Sequence, residues 1–203
     1  MISLDVIRNK ITSLGGVKQN PLCRSDEALQ VNDSFVLELE KKFANSIPDL
    51  YKGTIQFFGP FSFQKSIKVE CQDLNPAADE NNKVTVDYFY SLASEGECSI
   101  NKLLSTFSDQ LPSYLLPICD GKPGDLICID LRPVSYETIY YWFHEAEVGK
   151  DLFRIASNFV EFILKLEIFE ENNEENEKEP KVQIKASDKL LEMLKKSGYG
   201  PKE

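Results

Sequence analysis

His144 is the only histidine among the 203 residues, so a metal site built on several histidines is excluded. A thiol nucleophile would have to be Cys119 or Cys128, and the fold would then have to bring His144 and Asp130 to it. Cys128, however, lies in the most apolar stretch of the chain, where a buried neutral thiol is expected rather than a thiolate. The sequence therefore predicts that no residue is catalytic.

A second candidate for chemistry is the run from Asp120 to Asp125, in which oxygen ligands and glycines recur as they do in calcium loops. The run lacks the alternating ligand series and the terminal bidentate Glu of that motif. Gly121, Pro123 and Gly124 instead favour a tight turn. No phosphate-binding Gly-rich loop, Walker lysine or dinucleotide fingerprint occurs, so neither a metal nor a cofactor is predicted.

The charge of the chain limits its partners. The formal net charge is −10, and half of it lies in the polar run 167–181, which has seven Glu and two Lys. An acidic surface disfavours direct nucleic-acid binding, which needs basic side chains facing the phosphates. It suits a protein partner with a basic surface, although ordinary solubility explains the same charge.

Elements that would position these residues can be predicted from periodicity and capping. Apolar residues at helical spacing predict a helix over 4–14 that ends at Gly15 and Gly16. Asn32, Asp33 or Ser34 can cap a second helix, Pro48 suits the first turn of a third helix that runs to Phe58, and Ser99 can cap a short fourth helix. Strands are predicted over Ser66–Cys71, Lys83–Tyr90, Leu126–Leu131 and Thr138–Phe143, and a last helix over Ile155–Leu166. Within the second strand, Val84, Val86, Tyr88 and Tyr90 are expected on one side and Thr85, Asp87 and Phe89 on the other.

Three motifs follow one another in the central part of the chain. They are P-I-x-D-G-x-x-G-D-x-I-C-I-D-L from Pro117, W-x-H-E from Trp142 and I-A-x-N-F-x-E-F-I from Ile155. With the helical segments from Leu37 and Ile47, their order over 34–168 resembles the SUKH superfamily of yeast cell-wall regulators and bacterial immunity proteins. The chain departs from the family at Phe143, where Asp is common, and at Phe58-Gly59-Pro60, where Asn-Gly-Gly is usual.

The resemblance implies an α+β fold, with a mixed β-sheet and helices packed on it at both ends of the chain. It also implies a structural role for the motif residues. These are Pro117, Gly121, Gly124, Asp125, Asp130, Trp142, His144, Glu145, Phe159 and Phe162. Trp142 is expected to anchor the core. His144 is expected to close its strand and to donate a hydrogen bond to a nearby carboxylate or carbonyl, Glu145 being the adjacent acid.

Domain boundaries follow from the change of composition after Ile168. We expect a SUKH-like domain over 1–168, an acidic flexible linker over 169–186, and a short amphipathic helix and tail over 187–203. The first ten residues carry charges where a secretory signal needs an apolar run, and no run is long enough to cross a membrane. Five cysteines without a C-x-x-C pair are expected to be reduced, which predicts a cytoplasmic location.

The resemblance implies a non-enzymatic immunity protein that binds and neutralises a cognate toxin, such as a nuclease-type effector of a polymorphic or contact-dependent toxin system. Surface acids would then meet the toxin's basic groove. The candidates for this contact are Asp79, Glu80, Glu95, Glu97, Glu145 and Glu147, each of which could equally be an ordinary solvated acid. The alternative function is an intracellular protein-interaction or regulatory module of the same family, with no toxin partner.

Overall fold

The computed structural model describes residues 3–19 and 31–169 of the chain. Its helices are α1 (Leu4–Ser13), α2 (Asp33–Phe43), α3 (Asp49–Phe58), α4 (Ile100–Thr106) and α5 (Phe159–Lys165). Its strands are β1 (Val17–Lys18), β2 (Phe61–Glu70), β3 (Lys83–Phe89), β4 (Leu115–Asp120), β5 (Leu126–Asp130), β6 (Ile139–Trp142), β7 (Leu152–Ala156) and β8 (Glu167–Ile168). Except for Phe169, the predicted linker and the predicted C-terminal helix lie outside the described residues.

The eight strands form one sheet in the order β1-β2-β3-β4-β5-β6-β7, and β8 pairs with the same strand, β2, as β1 does. Each paired couple of strands is antiparallel. The edge strand β7 also contacts the loop that follows β2, because the Gln72 N–H donates to the Arg154 carbonyl at 2.6 Å. Helices precede and follow the strands, so the α+β prediction is confirmed.

One face of the sheet carries the main core. Helices α1, α3 and α5 contact one another there, and α5 also contacts β2 and β7. Tyr51 of α3 packs edge-on against Phe159 of α5, with ring centroids 5.3 Å apart. On the other face, α4 contacts β4 and closes a second apolar cluster of Leu103, Leu111, Leu115, Leu126, Cys128 and Trp142. The central strands are therefore covered on both sides, which is why β5 is buried throughout and apolar as far as Ile129.

The predicted helix over Ile155–Leu166 is wrong at its beginning. Ile155 and Ala156 belong to β7, which pairs with β6, and the helix starts only at Phe159. The physical reason is the cap: the Asn158 side chain accepts the Glu161 N–H at 2.9 Å in an extended conformation, which separates strand from helix. Ile155 and Ala156 before this cap and Phe159 and Val160 after it look in the sequence like one apolar run.

The predicted alternation along β3 is wrong after Val86. Pairing of β2 with β3 shifts register between Ser62 and Ile67, as at a β-bulge. Phe89 therefore joins Val84 and Val86 in the main core, where it stacks on Phe61 at 4.6 Å, while Tyr88 belongs to a separate small cluster with Cys98.

Three cysteines, Cys71, Cys119 and Cys128, are free and buried. Cys98 is disulfide-bonded, so the expectation that the chain is fully reduced is wrong at this position. Within the described residues, no helix is both long and apolar enough to span a bilayer.

Candidate functional site

The turn between β4 and β5 is held by a buried carboxylate. Asp125, only 3% exposed, accepts the Tyr141 hydroxyl at 2.6 Å and the Nδ1 of His144 at 2.7 Å. The backbone N–H of His144 donates to the same carboxylate at 3.2 Å. The carboxylate that holds the His144 ring is thus Asp125, which lies across the sheet, while the adjacent Glu145 is exposed.

Both glycines of this turn lie against the side chains that Asp125 orients. A Cβ on Gly121 would lie 2.6 Å from Cε2 of Tyr141, and a Cβ on Gly124 would lie 2.6 Å from Cε1 of His144. Gly124 also has a φ of +92°, in the region that side chains rarely adopt. Glycine is therefore required at 121 for space, and at 124 for both space and backbone conformation.

Two further buried aspartates hold the neighbouring turns. Asp130 accepts the Arg132 guanidinium at 2.6 Å and the Ser135 hydroxyl at 2.7 Å, which fixes the turn between β5 and β6. Asp151 accepts the Trp142 Nε1–H at 2.9 Å and the Gly149 N–H at 3.0 Å, which fixes the turn between β6 and β7. Trp142 itself is 2% exposed.

The remaining motif residues lie in the core. Pro117 is buried in β4, opposite Cys128 of β5. Phe159 and Phe162 are buried on α5, with ring centroids 6.2 Å apart.

The geometry offers no activated thiol around His144. Burial raises the pKa of both the Cys119 and the Cys128 thiols, so each is neutral at physiological pH. The His144 Nδ1 contacts a carboxylate rather than a sulfur atom. No group of three or more His, Cys, Asp or Glu side chains within residues 3–19 and 31–169 is placed to hold a metal ion.

Four of the six candidate contact acids lie at one end of the sheet. This end, which we call the loop end, is formed by the β2–β3 loop (71–82), the β4–β5 turn (121–125) and the β6–β7 turn (143–151). The register of the strands places all three connections at that end, and two contacts join them. The Lys122 ammonium donates to the Ala77 carbonyl, and the Arg154 N–H donates to the Asp73 carboxylate at 2.8 Å.

The four acids of the loop end differ in what they already bind. Asp79 pairs with Lys68 at 2.9 Å, which lowers the pKa of its carboxyl, and it also accepts the N–H groups of Asn81 and Lys83. Glu147 pairs with Lys150 at 2.8 Å, but both side chains are about 80% exposed, so the pair is weak. Glu80 and Glu145 are exposed. Asp79 is thus engaged in holding its own loop, and the other three remain available to a partner.

Large apolar side chains also stand out at the loop end. Leu74 is 88% exposed and Val148 is 92% exposed, although residues of this type are usually buried. Singly exposed aliphatic side chains are common on protein surfaces, and Val134 at the opposite end of the sheet is 87% exposed, so Leu74 and Val148 mark the loop end only together with its exposed carboxylates.

The two remaining candidate acids lie elsewhere. Glu95 and Glu97 are in the loop before α4, and Glu97 pairs with Lys102. Glu97 also lines a groove on the second face of the sheet, together with Asp87 of β3 and Asp120 of β4. Sequence reasoning missed these two aspartates as a pair, because only the pairing of β3 with β4 brings them to one groove. The one signal in the sequence is Asp87, an acid inside a strand of β-branched and aromatic residues.

The fold is an antiparallel sheet with helices on one face and a short helix on the other, and buried aspartates hold its turns. Such a fold is a structural scaffold that presents loops. The chain belongs to the SMI1/KNR4 family (SUKH-1), whose model matches residues 30–165. It is 28% identical over 140 residues to the SPbeta prophage-derived uncharacterized protein YokK of Bacillus subtilis (strain 168). That match covers 64% of this chain and 71% of YokK.

Proposed function

We propose that the chain is a non-enzymatic immunity protein that binds a cognate toxin and neutralises it by covering its active surface. The observation that carries the proposal is the loop end, whose loops and turns carry the exposed apolar residues Leu74 and Val148 and the exposed acids Glu80, Glu145 and Glu147. A toxin that cleaves nucleic acid presents a basic groove to its substrate. Carboxylates on a rigid surface can occupy the phosphate positions of such a groove, and aliphatic tips can fill apolar pockets beside it.

Complementary charge supports a fast encounter. The net charge of −10 would attract a basic toxin and raise the association rate by about 10- to 1,000-fold at low salt. The same sign of charge disfavours direct contact with nucleic acid, so the partner in this proposal is the protein toxin. Affinity would then depend on a few central residues, of which Val148 is the most exposed apolar candidate.

Two comparisons support the same function. The chain belongs to the SUKH-1 family, and a similar protein is encoded by a prophage. The predicted cytoplasmic location belongs to this proposal, and the disulfide at Cys98 counts against it, because disulfides are rare in a reducing cytosol.

A growth-rescue experiment tests the proposal. The toxin domain encoded beside this gene is expressed in a sensitive host with the intact chain, with Val148→Ser or with Val134→Ser. Val134 is the matched control, because it is 87% exposed in the turn between β5 and β6, at the opposite end of the sheet. We expect rescue by the intact chain and by Val134→Ser, and binding weakened about tenfold or more by Val148→Ser.

The outcomes separate the proposed function from its alternative. If no neighbouring toxin is bound, and deletion of 170–203 abolishes capture of a partner from the native lysate, the protein is a regulatory interaction module instead. If the toxin is bound equally by both valine variants, the immunity function stands but the loop end is not its surface.

A further inference from the structure

His144 lies at the loop end, where the fold engages only one of its two ring nitrogens. Nδ1 contacts the Asp125 carboxylate at 2.7 Å, and the backbone N–H donates to the same group. No hydrogen bond within residues 3–19 and 31–169 involves Nε2. The side chain is 34% exposed although Asp125 is buried, so its exposed part lies on the ring edge away from Asp125, which bears Nε2 and Cδ2. Nε2 is therefore the atom that His144 offers to a partner.

Asp125 decides which ring nitrogen carries the hydrogen. Its Oδ1 accepts the His144 backbone N–H at 3.2 Å, and its Oδ2 accepts the Tyr141 hydroxyl at 2.6 Å. A carboxylate that accepts on both oxygens has no hydrogen to donate, so Nδ1 must be the donor of the 2.7 Å bond. A neutral imidazole carries one ring N–H, which leaves Nε2 with its lone pair. The buried carboxylate thus makes Nε2 a hydrogen-bond acceptor.

The ring is also fixed in direction. Gly124 lies so close to it that a Cβ there would be 2.6 Å from Cε1 and 2.9 Å from Nε2. The neighbouring Phe143 ring stands edge to face with it, with ring centroids 6.2 Å apart. An acceptor that is already oriented loses little conformational freedom when a donor binds to it.

The charged groups around His144 favour a donor from outside the domain. The titratable and charged groups of the elements packed against the ring are Lys122 and Asp125 of the β4–β5 turn, Tyr141 of β6, and Glu145, Glu147, Lys150 and Asp151 of the β6–β7 turn. Asp125 and Asp151 are buried, and Glu147 pairs with Lys150. Glu145 is exposed and follows His144 directly. Its carboxylate and the Nε2 of a neutral His144 are both acceptors, so this part of the loop end suits the donors of a basic protein.

We propose that Nε2 of neutral His144 accepts a hydrogen bond from an ammonium or guanidinium group of the partner protein, and that protonation of His144 breaks this contact. A protonated ring has no lone pair left, and its positive charge repels the same partner group. Binding therefore weakens as pH falls. That the partner is a toxin rests on the proposed function, whereas the tautomer of His144 does not.

Nitrogen-15 nuclear magnetic resonance of the full chain reads this tautomer directly. His144 is the only histidine, so its side-chain signals are unambiguous. In the free chain at about pH 8 we expect the hydrogen on Nδ1 and none on Nε2. Addition of the toxin domain encoded beside this gene should shift the Nε2 signal more than the Nδ1 signal. A free chain with the hydrogen on Nε2, or a complex in which Nε2 does not shift, would overturn the inference.

His144→Asn separates the contact from the structural role of the residue. The amide N–H of Asn takes the place of the Nδ1–H and can still donate to Asp125, but no atom takes the place of Nε2. The variant should keep a urea unfolding midpoint close to that of the parent, while its dissociation constant for the toxin domain rises about tenfold at about pH 8. Glu38→Gln, at an exposed position of α2, is the control and should bind as the parent does.

The pH profile shows whether protonation controls the contact. From about pH 8 to about pH 5.5, the dissociation constants of the parent and of Glu38→Gln should rise about tenfold more than that of His144→Asn. Groups of the toxin titrate in all three complexes, so the difference between the profiles isolates His144. Parallel profiles, or a His144→Asn chain that binds as tightly as the parent at about pH 8, would refute the proposed contact. If this variant unfolds, the shift of Nε2 in the parent decides.

Failure of this inference differs from failure of the proposed function. A chain that neutralises the toxin with an unperturbed Nε2 loses only the His144 contact. A chain that binds no toxin, whatever the tautomer of His144, loses the proposed function and the contact with it.

Discussion

Replacing Gly121 by alanine tests whether the β4–β5 turn is held as the structure describes. The new Cβ would lie 2.6 Å from Cε2 and 2.9 Å from the hydroxyl of Tyr141, a residue with no exposed surface. The φ of Gly121 is not positive, so the cost is steric rather than conformational. Since the ring has no free space, it must move and lengthen the 2.6 Å bond from its hydroxyl to Asp125.

The magnitude follows from two contributions. Overpacking a core costs about 1–3 kcal/mol, and a buried carboxylate that loses a donor costs about 1–3 kcal/mol more. We therefore expect Gly121→Ala to lower the free energy of unfolding by about 2–6 kcal/mol. Tyr141→Phe should cost about 1–3 kcal/mol, because it removes only the hydrogen bond.

Urea unfolding followed by the fluorescence of Trp142 measures these changes, and a double-mutant cycle identifies their cause. The Gly121→Ala, Tyr141→Phe double variant should cost less than the sum of the single variants, since the hydroxyl contact is lost in both. The control is Gly53→Ala in α3, where the Cβ would meet Leu4 at an ordinary 3.7 Å and should stabilise by up to about 1 kcal/mol. Strict additivity, or a Gly121→Ala protein as stable as the parent, would refute the reasoning.

Three further changes have defined outcomes. Tyr51→Phe should raise the free energy of unfolding by about 1 kcal/mol in thermal or urea unfolding, because the buried Tyr51 hydroxyl has no hydrogen-bond partner within residues 3–19 and 31–169 and its pKa is raised by burial. Asp120 has a raised pKa of about 6 in the folded chain, so the native state binds more protons than the unfolded state between pH 4 and 6 and stability falls as pH rises through this range. Asp120→Asn should flatten this fall and be more stable than the parent at pH 7, and an unchanged pH profile would contradict the assignment. Asp151→Asn leaves one acceptor oxygen for two donors, the Trp142 indole N–H and the Gly149 N–H, so an amide N–H must face one of them and the change should cost about 1–3 kcal/mol in urea unfolding followed by Trp142 emission. A silent change would show that these two bonds are not both made in solution.

Helices were predictable where capping and periodicity agree. The predicted first helix, 4–14, matches α1 within one residue, and Asn32 is the cap of α2, accepting the Phe35 N–H at 3.0 Å. At α3, Pro48 stands at the cap position, one residue before the first turn in which it was expected. These signals are local, so a single sequence contains them.

Short strands were not predictable, because pairing creates them. The two-residue strands β1 and β8 exist only through hydrogen bonds to β2, and nothing in Val17–Lys18 or Glu167–Ile168 distinguishes them from loop. The start of β2 was missed although the sequence carries its signal. Phe61 and Phe63 alternate with polar residues as a strand requires, but the prediction began only at Ser66.

Contacts between loops depend on the topology, so the candidate surface could be predicted only as a set of acids. Sequence spacing gave no reason to group Glu80 with Glu145 and Glu147 and to separate Glu95 and Glu97 from them. The antiparallel register makes this division, because connections that alternate along the chain fall at opposite ends of the sheet.

The buried aspartates connect the stability of the fold to binding at the loop end. Asp125 and Asp151 both hold the β6–β7 turn, which presents Glu145, Glu147 and Val148, Asp125 through His144 and Asp151 through Gly149. A surface that is already fixed loses less conformational freedom when a partner covers it, so less of the contact energy is spent on ordering. If the loop end binds a toxin as proposed, Asp125→Asn should speed dissociation of that toxin even where the domain stays folded, because the carboxylate beneath the surface no longer fixes the turn. An unchanged dissociation rate, measured by surface plasmon resonance on folded protein, would mean that the turns keep their shape without this carboxylate.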